Sequence, residues 1–319
     1  MLLVILGTMS GYRGYRGLSG FMLGHQGHLA ERLGLRRASL PSYSTIRRLL
    51  METDFNAIAD ALNQWAQQAG LIKGGNHCAV DGKGLKNTLT DAFEATQNFV
   101  NVMSVFQLGQ GLAVGQTAFE NGQQIEIQAV YELLERLQLT GVTVSLDALH
   151  AQKTVELIHK QGNDYVITVK ANQKTLYQQL QELAQSDAVF SVHLDAEQTR
   201  YRQTTRIASV FPLPESVKAI WQGDQQGVEV IRLGRRQAEP YFERQYFITS
   251  GTKKADALQA RIRSHWGIEN SLHWVKDVVL AEDHSSIAAK PAASLNGDHS
   301  QSGDYLISSS GTSLPYRCN

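Results

Sequence analysis

Three acidic residues stand where metal-dependent phosphodiester chemistry would need them. Asp81 ends the strand-like run CAVDGKG, Asp147 ends VTVSLDALH, and Glu269 sits within the helical run RSHWGIENSLHW. Ligands of open α/β sheets gather at strand ends, so carboxylates on two neighbouring strands can converge, and one on a helix can complete the cage. Such a donor set suits two hard divalent ions about 3.5–4 Å apart, one activating an attacking oxygen and one steadying a leaving oxygen. Mg²⁺ or Mn²⁺, as two ions, is the cofactor it implies. The plainer alternatives are that Asp81 before Gly82 forms a turn and that Asp147 caps the helix that follows it.

The run around Glu269 adds a row of ionisable groups. At about 100° per residue, His265, Glu269, His273 and Lys276 fall within roughly 60° of helix arc. Such a row is expensive to bury, which points to a wet, charged cleft where Glu269 holds metal while the His and Lys groups contact phosphates or orient water. A solvated face of i, i+4 pairs is the bland alternative. A zinc site of His265, Glu269 and His273 is another, although HxxxExxxH lacks the HExxH arrangement. Lys170, in KANQ after a strand, is placed to reach phosphate, with Asn172 and Gln173 beside it, and a simple turn is the competing reading. Arg202 and Arg206, with Arg200, Arg232, Arg235 and Arg236, offer a surface for a DNA backbone, or else a charged edge strand guarded against aggregation.

The elements that must position these groups follow from hydrophobic period. Residues 2–65 carry apolar positions at spacings of three and four, with helix-start candidates at Ser42, Ser44 and Asp54. At His77 the period changes to strands, with a Gly-rich break at Gly109–Gly111 that reads as a hairpin. Glu126–Leu139 is a helix, GVTVSLDALH a short buried strand, AQKTVELIHKQG a helix closed by Gly162, and DYVITVKAN a further strand. Three strands, helix, strand, helix, strand describe a mixed α/β sheet with crossover helices. Residues 190–250 break into short alternating runs, a β-rich insertion, and the helical period returns from Lys254 to about Glu282. The expected division is a helical N-terminal region over 1–75, a catalytic domain over 76–284, and a disordered tail over 285–319, where nine Ser, three Gly and two Pro occur without period. Because the apolar run MLLVILG opens the first helix abruptly, a truncated start is one explanation of it.

With 42% hydrophobic and 19% charged residues, the 319-residue chain is neither fibrous nor wholly disordered. The longest apolar run, Met1–Leu6, is far below the roughly 18 residues of a membrane span, so a cytoplasmic, nucleoid-associated protein is expected. Cys78 and Cys318 suggest neither a disulfide framework nor a zinc site. A formal net charge of zero hides segregation: residues 1–50 carry seven Arg against Glu31 alone, and residues 51–199 carry eight basic against seventeen acidic groups. Residues 200–265 return to twelve basic against six acidic. An acidic centre between basic stretches is what a nuclease needs, though chance segregation gives the same pattern.

Four motifs in order, VDGK (Val80–Lys83), LDALHAQK (Leu146–Lys153), DYVITVKANQ (Asp164–Gln173) and RSHWGIENSLHWVKDVVLAED (Arg263–Asp283), resemble the H-repeat-associated (ISAs-type) family of insertion-sequence DDE transposases. The resemblance spans about residues 1–284. It implies an RNase H-like catalytic fold, Asp81, Asp147 and Glu269 as the metal-binding triad, the β-rich segment 190–250 as the insertion of the wider group, and DNA cleavage and strand transfer at element ends. Related transposases surround the third acid with a Tyr, Arg, Glu and Lys series. Glu269 and Lys276 match that spacing, while His265 takes the Arg position and Ile262 the Tyr position. DNA is the implied partner and a homo-oligomer the implied acting form, with no membrane. A truncated, catalytically inactive remnant with residual DNA binding is the alternative.

Overall fold

In a computed structural model of the chain, residues 1–34, 40–85, 100–120, 126–147, 152–200, 202–223, 225–237, 239–251 and 253–280 are described. All fall within one compact unit, Met1–Ala289. The expected tail over 285–319 lies outside the described residues, as does the segment after Asp147 that it was expected to cap.

His77–Gly84 (β1), Val100–Gln107 (β2) and Leu112–Glu120 (β3) form an antiparallel meander with a register shift at Val105/Phe106. Thr143–Leu146 (β4) lies parallel to β1, and Asp164–Val169 (β5) parallel to β4. Parallel strands are covered on both faces, which is why CAV, TVSL and YVI are wholly buried rather than alternating in polarity. Between β3 and β4 runs helix Glu126–Leu137, and between β4 and β5 runs Gln152–Lys160. The first presents Ala129, Val130, Leu133, Leu134 and Leu137 to the sheet at helical spacing, each leucine contributing about 1.5–3 kcal/mol by burial. The second ends where Gly162, at φ +76°, turns the chain into β5.

After helix Lys174–Ala184, the sheet is prolonged by Ser191–Thr199 (β6), Arg202–Pro212 (β7), Gln225–Arg236 (β8) and Glu239–Ser250 (β9). β9 pairs antiparallel with β5, giving the order β3-β2-β1-β4-β5-β9-β8-β7-β6 among the described residues. These strands are longer than the short runs expected from sequence, because pairing continues to the very ends of both hairpins, at Thr199↔Arg202 and Arg236↔Glu239. Gly227 pairs with Phe211 and lies under its ring, where a Cβ would overlap the aromatic carbons. Gly227→Ala is therefore expected to lower the free energy of unfolding by about 1–3 kcal/mol in a denaturant titration.

Among the described residues five helices precede β1: Leu2–Met9 (α1), Gly14–Gly24 (α2), Gln26–Arg32 (α3), Tyr43–Glu52 (α4) and Phe55–Gln68 (α5). Ser42 caps α4 by accepting from the Thr45 amide, and Asp54 caps α5 by accepting from Asn56, whereas Ser44 lies inside α4. Val4, Leu18, Phe21, Met22 and Ile46 share one small core. α5 is tied to the sheet layer by Gln67 donating to the Leu137 carbonyl at 2.8 Å and by the Arg136–Asp60 pair at 3.3 Å. No helix among the described residues is long and apolar enough to cross a membrane. Cys78 is fully buried, and burial pushes its thiol up to about 12, so it is an unreactive core residue.

Candidate active site

The parallel register sets the first two acids side by side. Ala79 pairs with Ser145, so Asp81 and Asp147, each two residues further on, reach the same edge and the same face. Cys78, Val80, Val144 and Leu146 point to the opposite face and join the main core. The face of Ala79 and Asp81 is covered by the C-terminal helical segment, where Ile268 packs on Ala79 and Phe106.

That segment is not the straight α-helix its period suggests. An α-helix spans Ala255–His265, and then the backbone widens into π-helical turns over Ile268–His273 and Val275–Val279. The Trp274 amide donates to the Glu269 carbonyl and the Leu280 amide to the Val275 carbonyl, five residues back. The regular 100° arc is replaced by wider turns, yet His265 and Glu269 still line one cavity with Asp81, His273 lies against Asp81, and Asp277 meets Lys83. Lys83 is largely buried and meets Asp277 at 2.7 Å, fastening VDGK to the helical segment.

Asp81, Asp147, Glu269, Lys170, Ser145 and His265 are among the walls of a cavity of about 140 Å³. Asp81 is pushed up to about 6, chiefly by burial and then by the charges of Glu269, Glu126 and Asp147, against a lowering hydrogen bond from the Gly82 amide. Asp147 is half-exposed and receives Lys170 Nζ at 2.8 Å. His273 Nδ1 lies 3.6 Å from Asp81 Oδ2 and its side chain is mostly buried, so it flanks the acid rather than an open surface. Among the described residues, no three Asp, Glu, His or Cys groups stand close enough to hold one ion as the side chains lie. The donor chemistry nonetheless fits a hard divalent cation: the groups are carboxylates, and they raise one another's affinity for positive charge.

Two expected DNA contacts are corrected by their surroundings. His265, expected to contact phosphate or orient water, is buried, which lowers its pKa, and its Nδ1 lies 2.8 Å from Ser145 Oγ, so the neutral ring is favoured over a charged phosphate contact. Arg206 is largely buried, bonded to Asp195 at 3.1 Å and Glu197 at 3.0 Å, which leaves it no phosphate-binding capacity at the surface. Arg202 bonds Thr204 and lies over the Tyr241 ring, 5.7 Å from its centroid. Ile262 is a core residue beside Leu258 and Val166.

Glu126 is the acid that sequence reading missed. It opens the helix after β3, and a Cβ built on Gly82 would sit 3.5 Å from its Oε1. Its own pKa is raised by burial first and then by Asp147. The signal was available in principle, since an acid at the first position of a helix entering a strand-end cleft is placed toward that cleft. Glu126→Gln is expected to weaken Mn²⁺ binding by about tenfold in calorimetry by removing one charge from the set.

Asp81 is not at a strand end as the sequence suggests, because β1 stays paired with β2 to Gly84, but it lies just past the parallel pairing with β4, beside Asp147. This acidic pair on adjacent parallel strands, faced by a third acid on a covering helix, fits a DDE nuclease-like α/β protein. Residues 72–295 match the family described as the transposase DDE domain, and residues 1–66 match its associated N-terminal family, DDE_Tnp_1-associated. The chain belongs to the DDE transposase family, among its H-repeat-associated members. It is 27% identical over 307 residues to "H repeat-associated putative transposase YhhI" of Escherichia coli K12, covering 92% of this chain and 80% of that protein. The same identity and coverage hold for "Putative protein YbfL" of the same organism. "Putative transposase YncI" of Escherichia coli O157:H7 is 28% identical, covering 80% of this chain and 68% of that protein.

Proposed function

We propose that this transposase cuts and rejoins DNA at the ends of an insertion sequence, with Asp81, Asp147 and Glu269 holding two Mg²⁺ or Mn²⁺ ions. The observation that carries the reading is the convergence of these three acids, from two adjacent strands and one helical segment, on one cavity. Bound ions would supply Lewis-acid stabilisation of the phosphate and a more acidic attacking hydroxyl. The chain's own residues bind and orient: Lys170 neutralises Asp147 until DNA or cation competes for it, His273 flanks Asp81, and Lys276, Lys170 and Arg202 are the proposed contacts to DNA. The sheet order β3-β2-β1-β4-β5, with β1, β4 and β5 parallel, supports an RNase H-like catalytic domain over 76–284, carrying the β-rich insertion at 190–250. Residues 1–75 form the proposed helical N-terminal region, and 285–319 a tail outside the catalytic domain. Two DNA ends must be held together, so the acting form is a homo-oligomer, at the nucleoid in the cytoplasm.

The test is nicking of supercoiled plasmid by purified protein in Mn²⁺, beside a Glu269→Gln control. Metal-dependent nicking that disappears in the control supports the reading. Folded protein that binds DNA in a salt-sensitive way but never nicks points to the competing one, an inactive remnant with residual DNA binding.

A further inference from the structure

A chain of hydrogen bonds links the first strand, the second acid's strand and the covering helix. Ser264 Oγ donates to the Arg261 carbonyl at 2.9 Å. His77 Nδ1 lies 2.9 Å from Ser264 Oγ, His77 Nε2 lies 2.9 Å from Ser145 Oγ, and Ser145 Oγ lies 2.8 Å from His265 Nδ1. A hydroxyl has one proton to give, and this fixes the direction of every link. With its proton committed to Arg261, Ser264 accepts from His77 Nδ1–H. A neutral His77 then accepts at Nε2 from the Ser145 hydroxyl, which in turn accepts from His265 Nδ1–H. Burial supports the neutral state of both rings, holding His77 down at about 3 and His265 below its ordinary value. A neutral His265 protonated at Nδ1 carries a bare Nε2, and the residue lines the cavity of Asp81, Asp147 and Glu269.

We propose that His265 Nε2 is a hydrogen-bond acceptor for the hydroxyl that attacks the scissile phosphate, its tautomer set by the one-way relay through Ser145, His77 and Ser264. This rests on the reading of the site as a strand-cleaving one. A water, or the 3′ hydroxyl of a cut strand, that donates to Nε2 has a lone pair directed away from the ring and free to face phosphorus. A charged group in this place would donate instead and could not align the nucleophile that way. The relay also spans Ser145, two residues before Asp147, and His265, four before Glu269, so the group that aligns the nucleophile is braced to the elements that carry the acids.

The experiment has two arms. In ¹⁵N-histidine-labelled, metal-free protein at pH 7.5, long-range ¹H–¹⁵N spectra are expected to show His77 and His265 as Nδ1–H tautomers, assigned by loss of signal in His77→Gln and His265→Gln. A His265 ring protonated at Nε2 overturns the proposal. In the second arm, His265→Asn keeps a donor for Ser145 but places nothing at Nε2, while His265→Gln puts an amide oxygen near that position. Nicking is expected to fall at least about tenfold in the Asn variant, with its melting temperature kept, and to recover in part in the Gln variant. Wild-type rates in both variants overturn the proposal. Wild-type protein that does not nick at all defeats the cleavage reading and the acceptor's role with it, while the spectra alone decide the relay.

Discussion

Asp81→Asn is expected to raise the melting temperature of the metal-free protein at pH 8 by about 5 °C while removing its cleavage activity. The Asp81 carboxyl is pushed up to about 6, above the ordinary 3.8, first because it is buried and then because Glu269, Glu126 and Asp147 repel its charge. A raised carboxylate pKa means the fold is disfavoured once the group ionises. The penalty is absent below pH 3.8, grows as pH rises through 6, and is complete above it, at about 3 kcal/mol from the two values. Asparagine keeps an oxygen for the Gly82 amide and carries no charge, so the gain should be large at pH 8 and vanish at pH 4. Mn²⁺ should stabilise wild-type protein by mass action and leave the variant nearly unmoved. Thermal melts across pH decide the matter, and equal melting temperatures at pH 8 would contradict the assignment of Asp81 to a repelling carboxylate cluster.

Asp147→Ala should reduce single-turnover nicking by at least about 10³-fold, since loss of one metal-holding oxygen group removes several kcal/mol of transition-state stabilisation. Binding should respond in the opposite sense. Asp147 Oδ2 holds Lys170 Nζ at 2.8 Å, and its removal releases a half-exposed cation at the mouth of the cavity. Fluorescence anisotropy with duplex DNA is therefore expected to show affinity retained or modestly increased, with a steeper salt dependence. Weakened binding together with cleavage within tenfold of wild type would show that Asp147 serves the surface and not the reaction.

The central sheet was legible because its strands are short, apolar and punctuated. CAVDGKG, VTVSLD and DYVITV sit between glycine turns and helices of clear period, and Asp81 and Asp147 could be named from that pattern, although β1 runs on past Asp81 to Gly84. The geometry after His265 was not legible, because apolar period assumes a fixed rotation per residue and a π-helical turn breaks that assumption. Charge state was hidden for a related reason. His265 reads as a phosphate contact in a row with Glu269 and Lys276, but its burial favours the neutral ring, and its partner Ser145 lies 120 positions away in sequence. Arg206 was misplaced in the same way: its partners Asp195 and Glu197 lie across a hairpin whose register only pairing reveals. Glu126 went unnoticed because an acid in a first helical turn is so ordinary on dipole grounds that it draws no attention without the cleft in view.

The wide turns over Ile268–His273 and Val275–Val279 make the side-chain directions of this stretch depend on its helical pitch. Each such turn holds about one residue more than an α-helical turn. Tightening Ile268–His273 into ordinary pitch at unchanged length would rotate everything downstream by about 100°. His273 would swing off Asp81 and Asp277 off Lys83 together, although no side chain in either pair had changed. The interval from Glu269 to Asp277 thus acts as a ruler graduated by pitch, in which the wide turns, and not any one side chain, set where both contacts fall.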